Sequence, residues 1–314
     1  MSARSTTTAA FFLAAFVAAG LSVSAAGPGT SSKQPAVDPA YAQEIETWRK
    51  ERFEELKKED GWFSLVGLFW LQPGENRFGS DPENRVILPE GRAPAVAGTL
   101  IREGDAVRVR VEPGVTVTSN GQPVTEMALK PDVTGEPTML QLGTLSFHVI
   151  QRGDRMGVRV KDSKSEALAA FHGLEYFPLQ PAWKVTARFE PYNPPKQVSI
   201  PNILGDVEDS PSPGAVVFDW NGRTYRMDAL QGGKDGSLFL IYADQTNGKE
   251  TYGAGRFLAT DPPKDGKVVV DFNTAYNPPC AFTAYATCPL PPAQNRLALR
   301  VEAGEKKYAG GPAH

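Results

Sequence analysis

The sequence predicts a mostly β protein: two antiparallel β domains, a small sandwich followed by a second sheet or barrel, with an amphipathic helix ahead of them. Two observations carry this. Gly 30 and Pro 27 exceed the usual share, which suits many short strands joined by turns better than a helical bundle. Short runs of alternating polarity, bounded by turn signals, fill most of the chain beyond residue 73. With 314 residues, 41% of them hydrophobic, the chain is long enough for two cores.

In order, residues 1–26 read as a secretory signal, with Arg4 before an apolar run from Ala9 to Gly20 and the small-residue site Val23-Ser24-Ala25. That run is shorter than the roughly 20 residues a membrane span needs. Residues 27–38 form a Gly/Ser/Pro linker. The expected mature protein is periplasmic or secreted and not membrane-inserted. Asp38-Pro39 caps and starts a helix over 39–60, in which Tyr41, Ile45, Trp48, Phe53 and Leu56 recur at three- to five-residue steps. Gly61 to Leu71 is the most apolar segment after the leader and reads as a core strand or turn-rich insert.

The first β domain is expected over 61–178. Val107, Val109 and Val111 alternate with Arg108 and Arg110, and Leu145, Phe147 and Val149 alternate within 144–150, placing His148 on a polar strand face as a solvated or hydrogen-bonded histidine. Turns fall at Glu103-Gly104-Asp105, Asn120-Gly121 and Arg152-Gly153-Asp154. The second domain, 179–308, alternates again from Lys184 to Glu190 and carries strand-like runs at 215–220, 224–227, 238–243 and 267–272, with a closing strand over 297–302.

The candidate site lies in Asp271 to Pro292, a proline-stiffened segment without helical or strand period. Asp271, Asn273, Tyr276 and Asn277 offer a carboxylate, two amides and a phenol within seven positions. A second stretch, Tyr242 to Leu258, brings Tyr252 and Arg256 to the edge of a glycine-rich turn, where Arg256 either grips an anionic ligand or pairs with Asp244 or Asp271. Cys280 and Cys288 are the chain's two cysteines; an exported chain would oxidise them, and a disulfide closing that loop is worth roughly 2.5 kcal/mol. With three histidines in all, the spacing gives no metal site, and no cofactor is expected. Motifs for serine hydrolases, zinc proteases, phosphate loops and dinucleotide binding are absent. The net charge of −3, mixed along the chain, argues against a nucleic-acid partner.

Two family resemblances follow from these residues. Asp271-Phe272-Asn273, Asn277-Pro-Pro-Cys280, Cys288-Pro-Leu-Pro-Pro292, Asn295-Arg296-Leu297 and Ala303 to Lys306 closely resemble the bacterial domain of unknown function 1684 family, a resemblance running from Trp48 to Lys306 that implies no activity. Gly79-Ser80, Asn84 to Leu88, Asn120-Gly121 and Leu140 to Gly143 resemble forkhead-associated β-sandwiches. That family's phosphate-gripping arginine falls at Ser80 here and its Ser-x-x-His turn has no counterpart, so the resemblance implies the sandwich and not phosphopeptide binding. The leading expectation is a small polar or anionic ligand held by Arg256, Asp271, Asn273, Tyr252, Tyr276 and Asn277. The alternatives are a hydrolase using Asp271 as base or Cys280 as nucleophile, and a structural or partner-binding module.

Overall fold

A computed structural model describes residues 37–312; the expected signal segment and most of the linker lie outside the described residues. Asp38 accepts a hydrogen bond from the Ala40 N–H (2.9 Å) and Pro39 opens helix α1, Pro39–Leu56. A capping carboxylate and a residue with φ already fixed start a helix at this point. Among the described residues no helix is long and apolar enough to cross a membrane.

The chain then lays down β1 (Leu65–Trp70), β2 (Gly74–Gly79), β3 (Val86–Ile87), β4 (Gly98–Glu103), β5 (Ala106–Val111), β6 (Val117–Ser119), β7 (Gln122–Val124), β8 (Glu126–Leu129), β9 (Leu140–Leu142), β10 (Leu145–Arg152) and β11 (Arg155–Asp162). Two sheets result, ordered β1-β11-β10-β9-β6-β7 and β3-β2-β4-β5-β8, all antiparallel except the short β2/β3 pair. Val107, Val109, Phe147 and Val149 from their facing sides fill one buried cluster with Phe78 and Leu100, which is the sandwich core the alternation predicts. Asn120 and Gly121, with φ of 49° and 75°, make the two-residue turn of the β6/β7 hairpin, a conformation these residue types adopt with little strain.

After a helical turn, α2 (Glu166–Ala169), a second sheet unit follows: β12 (Lys184–Pro201), β13 (Val207–Trp220), β14 (Arg223–Gln231), β15 (Leu238–Tyr242), β16 (Arg256–Thr260) and β17 (Lys267–Asp271), in the order β16-β15-β14-β13-β12-β17. Val216, Phe218, Leu240, Leu258, Val270 and Phe272 pack on one another as its core. A third cluster joins Leu56, Phe63 and Phe171 to Val198, Ile200, Phe257, Phe282, Cys280 and Cys288, so the proline-rich loop is itself core material.

Two local expectations change. Residues 297–302 form no strand: Val301 gives its N–H to Asp244 Oδ2 (2.8 Å) and its carbonyl to Arg256, so side chains replace a ladder there. His148 is not solvated. It is 8% exposed, because the face of β10 and β11 away from the sandwich core carries Arg159, which lies under Trp62 and reaches Thr287 of the loop.

Candidate functional site

Four of the six expected ligand groups are spent on docking α1. Tyr41 Oη donates to the Asp271 carboxylate (2.8 and 3.0 Å) while accepting from Asn273 Nδ2 (2.9 Å), and Asn273 also holds the Gln180 carbonyl (3.0 Å). Burial, and then the Asp271 hydrogen bond, push the Tyr41 phenol well above its ordinary range, so it stays a donor. One turn from the helix end, Arg52 Nε donates to Glu305 Oε1 (2.9 Å) and its Nη2 to the Asn277 carbonyl (3.0 Å), with the guanidinium 4.7 Å from the Tyr276 ring centre. Glu305 Oε2 accepts the Asn277 N–H (2.7 Å). Asp271, Asn273, Tyr276 and Asn277 are thus the socket of a helix rather than a ligand cradle, and the physical reason is that α1 brings its own phenol and guanidinium to them.

Arg256 is corrected in the same way. It has no exposed surface; its Nη2 donates to Asp244 Oδ1 (3.1 Å) and the Val301 carbonyl (2.9 Å), and its Nη1 to the Ala303 carbonyl. Asp244 is further tied to the Thr246 hydroxyl and the Val301 N–H. A guanidinium so enclosed braces the irregular tail against β16 and cannot grip a ligand from solvent.

Cys280 and Cys288 face one another as buried side chains, each backbone N–H directed at the other's Sγ (3.1 and 3.3 Å). The hydrogen bond from the Cys288 thiol holds Cys280 below its ordinary value despite burial, and the same bond, with burial, pushes Cys288 up. Among the described residues, no group of three His, Cys, Asp or Glu side chains stands close enough to share a metal ion.

What the loops do build is a cleft of about 790 Å³. Gly248, Tyr252 and Gly253 form one wall, Ala281 of the cysteine loop another, and Lys307 and Tyr308 the third. Of the expected site residues, Tyr252 lines this cleft. Lys307 is exposed, and among the described residues it enters no ion pair. Its backbone N–H is fixed to the Glu250 carbonyl (2.9 Å), which fastens the tail across the Tyr252 turn. Sequence reasoning missed Lys307 and Tyr308 because they follow the last patterned segment, where no local signal marks them.

His148 gives a prediction here. Burial, together with the Arg159 and Lys161 charges, pulls its pKa down to about 4. Between about 6.5 and that value the unfolded chain binds a proton that the native one refuses, so stability rises with pH across this window and is lost as pH falls through it. About 3 kcal/mol is at stake, from a shift of roughly 2.5 units at 1.36 kcal/mol each. Urea titrations from pH 7 to 4 should show this slope in the native sequence and a flatter one in His148→Gln; identical slopes would refute the assignment.

Comparison with known proteins places the chain. No curated protein matches it. It is similar to an uncharacterised protein of Haloarcula marismortui solved by NMR, with 30% identity over 44% of this chain and 78% of that one and a TM-score of 0.38. It is also similar to the FHA domain of FhaA, crystallised with the intracellular domain of Rv3910 (16% identity, 29% of this chain and 96% of that one, TM-score 0.22), and to the FHA-2 domain of a Mycobacterium tuberculosis ABC transporter (20%, 27% and 74%, 0.21). The family profile described as protein of unknown function DUF1684 matches residues 169–306, a narrower span than the resemblance from Trp48 suggests. Those residues, which hold Tyr252, both cysteines and the buried Arg256, are the part of the chain that resembles the DUF1684 family.

Proposed function

We propose that this is an exported protein that binds a small anionic ligand with a flat apolar body in the cleft between the Tyr252 turn, the cysteine loop and Lys307-Tyr308. The observation that carries the reading is the cleft itself: about 790 Å³, walled by two tyrosines and edged by glycines, with one lysine ammonium at its rim that no carboxylate neutralises among the described residues. Apolar walls with a single charged group match the usual make-up of a small-molecule site, in which area supplies affinity and the charge fixes orientation. Lys307 takes the role that the sequence suggested for Arg256. Export is supported by the N-terminal leader pattern around Arg4 and Ala9 to Gly20.

Benzoate, phenyl phosphate and neutral benzamide are suitable probes. Calorimetry should find the two anions bound and benzamide not, with Lys307→Gln weakening the anions by about tenfold, the size of one charge-assisted hydrogen bond. The melting temperature of that variant should be unchanged, since the side chain makes no internal pair. Equal binding of benzoate and benzamide, or undiminished binding by Lys307→Gln, would sink the reading.

A further inference from the structure

Arg159 sits on β11 with 7% of its surface exposed, and among the described residues no carboxylate pairs with it. Its Nη2 reaches only the Thr287 hydroxyl, at 3.4 Å, and its Nε has no hydrogen-bond partner. A guanidinium does not give up its proton in a protein, and a buried cation without a counter-ion is costly. The neighbouring charges make this worse: Arg152 bonds the same Thr287 hydroxyl (3.0 Å) but is matched by Asp132 (2.8 Å), and Lys161 gives its ammonium to the Asp60 carbonyl. His148, also facing Arg159, stays neutral. The ionisable groups left near Arg159 are those of the residue following Thr287 and of its partner across the loop, Cys288 and Cys280.

We propose that Cys280 and Cys288 are a redox-active dithiol in which Arg159 is the counter-ion of a Cys280 thiolate, and that low-molecular-weight disulfides oxidise it. The thiolate accepts the Cys288 N–H (3.3 Å) and the Cys288 thiol proton, and Cys288 directly follows Thr287, whose hydroxyl Arg159 reaches at 3.4 Å. Ala281, next in the chain, lines the open cleft, so the buried Cys280 stands one residue from the opening by which a small disulfide would approach. In the reaction the Cys280 sulfur attacks RS–SR, forming a mixed disulfide and releasing RS⁻. The Cys288 proton passes to that thiolate, and the Cys288 sulfur then attacks Cys280, expelling the second RS⁻. One thiolate and one thiol are oxidised to a disulfide, and RS–SR is reduced to one thiol and one thiolate, the latter taking its proton from water according to pH. Stabilising the thiolate favours the reduced form, so this pair resists permanent oxidation more than an ordinary structural bridge does. The inference does not depend on which ligand the cleft takes.

The test uses the full chain, first reduced and then equilibrated in mixtures of reduced and oxidised glutathione, with remaining thiols trapped by a maleimide and counted by mass. Both thiols should disappear together as oxidised glutathione rises and return when reduced glutathione is restored. Arg159→Gln should become oxidised at roughly tenfold lower oxidised glutathione, and its ultraviolet thiolate absorbance should appear only at higher pH; Arg159→Lys should restore both. Should Arg159→Gln fail to fold, Cys288→Ala, which removes the thiol donor, must still raise the pH at which Cys280 absorbs as thiolate. A pair that ignores oxidised glutathione, or that stays oxidised in excess reduced glutathione, would overturn the proposal, as would a thiolate titration unchanged in these variants.

Discussion

Replacing Arg256 with alanine should cost about 3–5 kcal/mol of folding stability, the range for removing one partner of a buried ion pair. The substitution leaves the Asp244 carboxylate inside the protein with no cation, and it strips the donors from the carbonyls of Val301 and Ala303. Asp244 keeps the Thr246 hydroxyl and the Val301 N–H, so its desolvation is only partly offset. The tail from 297 to 305 has no strand ladder to fall back on, which is why the loss should spread to the Glu305 end of the α1 socket. Lysine will not rescue the site, because one ammonium cannot serve a carboxylate and two separated carbonyls in a fixed plane. Arg256→Met combined with Asp244→Asn should lose less than the two single changes added together, since neither buried charge is then left alone. Urea unfolding measures all of these. A single Arg256→Ala variant within 1 kcal/mol of the native sequence would contradict the brace and return that guanidinium to the list of ligand groups.

Where one face of a strand is buried and the other wet, local pattern was enough: the Val107, Val109 and Phe147, Val149 alternations became β5 and β10 with those residues in the core. His148 obeyed the same alternation and was still misplaced, because a loop about 140 residues further on covers the second face, and no local pattern encodes that cover. The same limit explains the polar cluster from Asp271 to Asn277. Its density was legible, and so was its being fixed in shape, but its partners Tyr41 and Arg52 lie 230 and 225 positions away in sequence. Unpartnered in the sequence, those groups read as waiting for a ligand. Tyr252 was found because it stood in a glycine-rich turn, whereas Lys307 stood in no pattern at all.

Arg52→Ala should destabilise the protein by about 3–5 kcal/mol at neutral pH, and the loss should shrink on acidification. Glu305 is fully buried, and its carboxylate is held by the Arg52 guanidinium on one oxygen and the Asn277 N–H on the other. Burial already raises its pKa above the ordinary carboxylate value, with Arg52 the largest opposing influence. Without Arg52 the value climbs further. Between the unfolded value, about 4.3, and the raised folded one, the native chain binds a proton that the unfolded chain has released, so stability falls as pH rises through this window. Below it the neutral carboxyl needs no cation, and the variant regains most of what it lost. His148 acts in the opposite sense over an overlapping range, but it contributes equally to both proteins, so the informative quantity is the difference between variant and native stability at each pH. Glu305→Gln in the Arg52→Ala background should make that difference independent of pH, because the carboxyl that Arg52 faces is then gone. A difference that is flat before this second substitution would mean that Glu305 is already protonated at neutral pH, and that α1 is held by Tyr41 and apolar packing rather than by an ion pair.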